Sequence, residues 1–262
     1  MAFTNSPLVS FTQISPHRSS RNGRKIDTIT IHCVAAQAAI ETLGRLFQGK
    51  EASSNYGVGS DGRIGMYVEE KERSWASSNG DNDRRAVTIE VASDNTHPYA
   101  INAKAYAALI DLVTDICRRN GIYPLKWSTN KTERINHLNG CNMTVHRDYA
   151  NKACPGDYIY NRLGQIAAEV NERLEEENMV RYKTLDEIPK GYQAETKELM
   201  ELGFNGKGGD AGLDVTEDML RTMIINLRMC KAMITALPDQ AINKEALFAE
   251  FKKNLKLNIS VE

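Results

Sequence analysis

The sequence has no excess of charge of either sign: 33 Lys and Arg stand against 34 Asp and Glu, for a formal net charge of −1. A nucleic-acid-binding domain ordinarily carries a clear basic surplus, so no nucleic-acid partner is expected. No run of about 18 consecutive apolar residues occurs, so no membrane insertion is expected. The opening stretch, MAFTNSPLVSFTQISPHRSSRNGRK, lacks the continuous apolar centre of a secretory signal. The five cysteines, Cys33, Cys117, Cys141, Cys154 and Cys230, are odd in number and contain no CxxC pair. Both facts argue against a disulfide framework, and most of the thiols read as small buried hydrophobes. No internal repeat is found. What remains is an ordinary globular composition, 41% hydrophobic and 26% charged over 262 residues. That length suits one medium domain followed by a small one.

The first strong strand is TITIHC, residues 28–33. Its alternation puts Ile29, Ile31 and Cys33 on the core side and Thr28, Thr30 and His32 on the other. A helix is expected over 38–48. Tyr56–Gly59 and Arg63–Val68 flank an Asp61-Gly62 turn signal and read as a hairpin. The polar stretch 74–85 reads as a loop. VTIEVA, residues 87–92, alternates again, with Glu90 on the polar side. Residues 102–120 form the clearest helix, with Asn102 as N-cap, an apolar stripe at helical spacing, and Asn120-Gly121 as the stop. Residues 127–154 read as a loop-rich region, and 157–177 as a further helix. The acidic run Glu175–Glu177 marks the boundary between a domain at 1–177 and a small helical domain at 178–262. In the latter, helices are expected over 194–202, 216–236 and 244–255.

Three residues suggest chemistry. His32 stands on the polar side of a strand, and His146 and Cys154 share VHRDYANKACPGDY. Two imidazoles and a thiolate suit tetrahedral zinc with a fourth position open, the arrangement of catalytic rather than structural sites. On residue type and spacing alone, surface or core histidines remain the alternative, because His32 lies more than a hundred residues from His146.

The order of the motifs adds to this. TITIHC, SSNYGVGSDGRI, AVTIEVA and HRDYANKACPGDY together resemble the type 2 N-acetylmuramoyl-L-alanine amidases, which share a fold with peptidoglycan recognition proteins. The resemblance covers about Lys25 to Leu174. It implies an α/β domain with a central mixed β-sheet flanked by helices. It also implies a Zn2+ cofactor held by His32, His146 and Cys154, with bacterial peptidoglycan as substrate. Some members carry Asp as the third ligand, and Asp148 and Asp157 are the fallback ligands here. By the same resemblance Glu90 is the general base, Lys152 stabilises the oxyanion, and Tyr56 hydrogen-bonds the water or the tetrahedral intermediate. Tyr56 could equally be a packing residue. Cys33 is expected in the core, His137 in a structural or surface role, and Trp75 and Asn79 at a glycopeptide groove. The rival reading is a module that binds peptidoglycan without cutting it; the presence of Cys154, Tyr56 and Glu90 tells against it.

The tail from Tyr182 loosely resembles small helical modules related to S-layer homology domains, which bind cell-wall polymers. The resemblance implies a secondary wall polymer as partner. The alternative is a helical appendage that packs on the first domain or forms a homo-oligomer through its helices. From 179 onward twelve basic residues face thirteen acidic ones, so attraction to an anionic polymer is not implied. An amidase with no secretory signal looks like a phage or prophage endolysin. Such an enzyme is made in the host cytoplasm and reaches the wall through a membrane lesion.

Overall fold

The computed structural model describes residues 3–206, 212–236, 243, 246–247 and 249–250. The chain forms two compact units, Met1–Glu177 and Asn178–Glu262.

The first unit contains, in chain order, β1 (Val9–Thr12), β2 (Arg18–Ser20), β3 (Thr28–Cys33), α1 (Ile40–Gly49), β4 (Tyr56–Val58), β5 (Ile64–Met66), β6 (Glu72–Ser74), α2 (Gly80–Arg85) and β7 (Ala86–Val91). It continues with α3 (Ala103–Asn120), α4 (Lys131–Asn136), β8 (Met143–Val145), α5 (Gly156–Tyr160) and α6 (Leu163–Asn178). Six strands make a mixed sheet in the order β1-β5-β4-β7-β3-β8. β4, β7, β3 and β8 run parallel, while β4 and β5 form the antiparallel hairpin that Asp61-Gly62 predicts. β2 and β6 pair separately.

One sheet face carries Ile29, Ile31, Val87, Ile89, Val91, Tyr56, Val58 and Val145, packed with the apolar stripes of α3 and α6 in the main core. α3 begins where Asn102 accepts a hydrogen bond from the Ala105 amide and ends at left-handed Gly121. On the other face α1 buries Ile40, Leu43 and Phe47. Its approach depends on Gly57, where a Cβ would lie 2.7 Å from the Tyr67 ring and 2.9 Å from Leu43.

Three segments differ from the sequence expectations. Residues 74–85, expected as a loop, end β6 and form α2. The Asn79 side chain caps this helix by accepting from the Asp81 and Asn82 amides. Six residues are too short to show an apolar stripe, and the residues α2 buries, Asn82 and Asp83, are polar. Within 127–154 lie α4 and β8, the latter too short for alternation to register. The helix expected over 157–177 is two helices. The chain turns at Asn161–Arg162, which lets Ile159 and Leu163 both enter the core.

The second unit contains β9 (Arg181–Tyr182), α7 (Gln193–Glu201), β10 (Val215–Thr216) and α8 (Glu217–Thr235). β9 and β10 pair antiparallel. Ile188, Leu199, Leu202, Leu213, Val215, Leu220, Ile224 and Leu227 form its own apolar core. Thr216 caps α8 by accepting from the Met219 amide. The helix expected over 244–255 lies for the most part outside the described residues. Among those described, no helix is long and apolar enough to cross a membrane.

Candidate metal centre and active site

The site is assembled where parallel strands end. Ligand sites in open α/β sheets form at the carboxyl ends of such strands, where chains diverge and side chains converge from several of them. β3 pairs with β7 so that His32 lies beside Glu90. β3 also pairs with β8 so that Ile31 lies beside Val145. One step further along, His32 therefore meets His146, and the two rings stand 5.1 Å apart, edge to face. Cys154 enters from the segment before α5. Its Sγ lies 3.4 Å from His32 Nδ1 and 3.4 Å from the Cys33 amide, which donates to it. One ligand atom from each of His32, His146 and Cys154 falls within 4.8 Å of the other two.

The turn bearing His146 is held from behind. Asp148 accepts from the Val145 amide and from both forks of Arg134, at 2.9 Å and 2.5 Å. Arg134 in turn lies 4.4 Å over the Trp127 ring. The Arg147 amide donates to the Cys154 carbonyl, tying the two ligand segments together. These contacts occupy the fallback ligands. Asp148 is engaged by Arg134, and Asp157 by Arg147 and His97. Neither joins the cluster, because each carboxylate is already paired with a guanidinium.

The electrostatics favour a cation. Burial, helped by nearby His146, depresses His32 from 6.5 to about 3, so its imidazole is neutral and free to ligate. Partial burial and the Lys152 charge also lower His146. A hydrogen bond shared with Cys33, burial and the neighbouring Glu90 push the Cys154 thiol well above its usual range. Glu90 is lifted from 4.5 to about 8 by burial and by Cys33. Its Oε1 is 3.9 Å from His32 Nδ1. Glu90 Oε2 and His32 Nε2 are buried without a hydrogen-bond partner. Orphaned polar atoms of this kind are uncommon in folded proteins and point to a missing ion or water. A cation would reverse the penalties on Cys154 and Glu90 together. Two nitrogens and one sulfur suit zinc, with one position left open.

The other residues singled out from the sequence fall into place differently. Lys152 is exposed on the ligand loop and lines a cleft of about 400 Å³ with His97, Tyr99, Arg147 and Asn151. Tyr56 does not reach the site. It is paired beside Ile89, on the core face of the sheet, whereas His32 and Glu90 point to the opposite face. Its buried hydroxyl donates to Glu70 Oε1 at 2.7 Å and accepts from the Ser6 amide at 2.9 Å. Tyr56 therefore packs on the core face and anchors the N-terminal segment, on the face opposite His32 and Glu90. Cys33, expected in the core, is half-buried at the strand end and touches Cys154. His137 Nδ1 donates locally to the Cys141 carbonyl, outside the cluster. Trp75 is exposed with its indole N–H on Ser19, and Asn79 serves as the α2 cap.

Sequence reasoning missed Ser78, whose Oγ lies 3.2 Å from His146 Nε2, and also Asn82 and Arg134. The capping pattern Asn79-Gly80-Asp81 is the signal that could have located α2 and, with it, Ser78 and Asn82. Nothing local marks Arg134.

A sequence profile of the N-acetylmuramoyl-L-alanine amidase family (Amidase_2) matches residues 22–157, over half of the chain. No curated protein matches it. Solved structures do. A mutant endolysin from Bacillus subtilis is 19% identical with a TM-score of 0.45, over 61% of this chain and 97% of that one. The N-acetylmuramoyl-L-alanine amidase LysC from Clostridium intestinale URNW is 16% identical with a TM-score of 0.44, over 62% and 95%.

Proposed function

From the premise that the chain belongs to the N-acetylmuramoyl-L-alanine amidase family, we propose that its first unit is a zinc enzyme of bacterial peptidoglycan. The reaction is hydrolysis of the amide between the lactyl group of N-acetylmuramic acid and L-alanine. The observation that carries this reading is the meeting of His32, His146 and Cys154 ligand atoms within 4.8 Å, beside a Glu90 oxygen that has no partner.

His32, His146 and Cys154 would hold the zinc, which when bound supplies Lewis-acid polarisation of the scissile carbonyl and lowers the pKa of water toward about 7. Glu90 takes the proton from the attacking water and passes it to the leaving alanine nitrogen. A cation beside it favours the ionised carboxylate that a base needs. Lys152, an exposed cation whose charge is felt at His146, stabilises the negative charge that develops on the carbonyl oxygen.

The sequence resemblance extends this reading to the whole chain: a phage or prophage endolysin, made in the host cytoplasm and acting on the wall after release through a membrane lesion. The 1–177 segment is then the catalytic domain, and the 178–262 segment binds a wall polymer. The separate apolar core of the second unit supports treating it as a module in its own right.

The test uses purified Gram-positive cell walls, with the wild type and Cys154→Ala, with and without a chelator. New N-terminal alanine is quantified, with new reducing ends as control. We expect alanine termini that vanish with the chelator, return with zinc, and are absent from the variant. Wall binding with no new termini would replace the enzyme by a recognition module. Reducing ends alone would mean a glycosidase and would remove the site assignment.

A further inference from the structure

We propose that Ser78 is a positioning residue for His146. Its hydroxyl accepts the Nε2–H of the ring and thereby keeps the Nδ1 lone pair on the side of His32 and Cys154. This rests on the metal reading above.

Two independent observations lead here. The first is the contact itself, Ser78 Oγ to His146 Nε2 at 3.2 Å, the single side-chain hydrogen bond described for that imidazole. Ligating histidines ordinarily have the second ring nitrogen fixed by such a partner, which sets tautomer and ring orientation. The second is backbone geometry. Ser78 has φ of 63°, in the left-handed region that a non-glycine residue seldom enters. Strained positions of this kind persist when their surroundings over-determine them, and they concentrate at functional sites.

The surroundings do over-determine Ser78. On one side, the buried Asp83 carboxylate accepts from the Ala76 amide at 3.1 Å and the Ser77 amide at 3.2 Å. On the other, Asn79 Oδ1 accepts from Asp81 and Asn82 at 3.0 and 2.9 Å as the cap of α2. The Ser77 hydroxyl bridges the two by donating to the Asn79 carbonyl at 3.2 Å. α2 is itself pinned to the sheet: Asn82 donates to Thr30 at 3.1 Å and accepts from Thr144 at 2.9 Å. Thr30 stands two residues before His32 on β3, and Thr144 two before His146. The same network thus fixes the strands that deliver both histidines and the loop that orients one of them.

The φ of Ser78 supplies a clean variant. Ser78→Gly suits the backbone better than serine and removes the hydroxymethyl group that makes the contact. In the full-length protein, zinc affinity is read by competition with a chromophoric chelator. The His146 tautomer is read in the metal-free protein at pH 8 by its ring 15N shifts, and stability by thermal melting. Expected for Ser78→Gly are unchanged or higher metal-free stability, a loss of roughly tenfold to a hundredfold in zinc affinity, and a shift of the His146 ring from one tautomer to a mixture. Ser78→Asn, which tolerates the same φ and restores an acceptor, should recover much of the affinity. A Ser78→Gly protein with the wild-type His146 tautomer overturns the proposal, whether or not zinc binds. A wild type with a single tautomer and no zinc affinity overturns the metal-ligand role of the contact together with the zinc reading. Loss of affinity in step with loss of stability would reduce Ser78 to a structural residue and equally overturn it.

Discussion

The two faces of the β3–β7 pair are both largely buried and chemically opposite. On one, Ile29, Ile31, Val87 and Ile89 have no measurable exposure and sit in the main core. On the other, Thr28, Thr30, His32 and Thr88 are also fully buried. Apolar burial is non-directional, so the first face needs only the right volumes. Polar burial needs partners, and the second face divides according to whether it has them. Toward the strand beginnings it does: Thr30 with Thr144 at 2.7 Å and Asn82, Thr88 with Ser74 at 2.7 Å and Asn55. At the strand ends it does not, for His32 Nε2 and Glu90 Oε2 are left unpaired. The satisfied half of the polar face holds the scaffold, and the unsatisfied half is where the proposed site lies.

Glu90→Gln breaks this contrast most sharply. If Glu90 is the general base, kcat should fall by about 10²–10⁴-fold with KM little changed; wild-type turnover would remove Glu90 from the mechanism. The same variant has a signature in the metal-free protein. Folding raises the Glu90 pKa from 4.5 to about 8, so its contribution to stability is fully present below pH 4.5 and is lost as pH climbs toward 8. His32 acts in the opposite sense. Folding lowers its pKa from 6.5 to about 3, so stability is lost as pH falls from about 6.5 toward 3. In metal-free urea titrations Glu90→Gln should match the wild type near pH 4.5 and exceed it at pH 8. The gain is on the order of a few kcal/mol, since each tenfold change in proton affinity is worth about 1.4 kcal/mol. Parallel curves at all pH values would show that Glu90 is not held in its buried setting.

Ile89→Ala probes the face behind Glu90. It should cost about 2–5 kcal/mol of stability, as removal of a fully buried branched side chain does, while turnover per folded molecule stays near wild type. A large fall in turnover at preserved stability would mean that the two faces are coupled. Tyr56→Phe should have the smallest effect. Loss of the bonds to Glu70 and the Ser6 amide should cost about 1–2 kcal/mol, with kcat within about twofold of wild type. A fall of a hundredfold would return Tyr56 to the chemistry.

Much was determined by the sequence alone. The alternation in TITIHC and VTIEVA assigned His32 and Glu90 to the polar sides of their strands, since side-chain direction in a strand is a local property of period two. Asp61-Gly62, Asn102 and Gly121 marked a turn, a cap and a stop for equally local reasons, and the structure has all three. The residue types of His32, His146 and Cys154 named a donor set.

What local pattern could not supply was which strands are neighbours, in what register, and what lies over the polar face. Those are settled by hydrogen bonds and burial between segments far apart in the chain. Only the tertiary structure set His32 against Glu90, carried His146 in on the three-residue β8, and turned Tyr56 to the core side beside Ile89. It alone folded the polar stretch after Ser74 into a capped helix whose preceding turn brings Ser78 to His146. A residue's side of its own strand follows from alternation; its partners across the sheet follow from the pairing of distant segments.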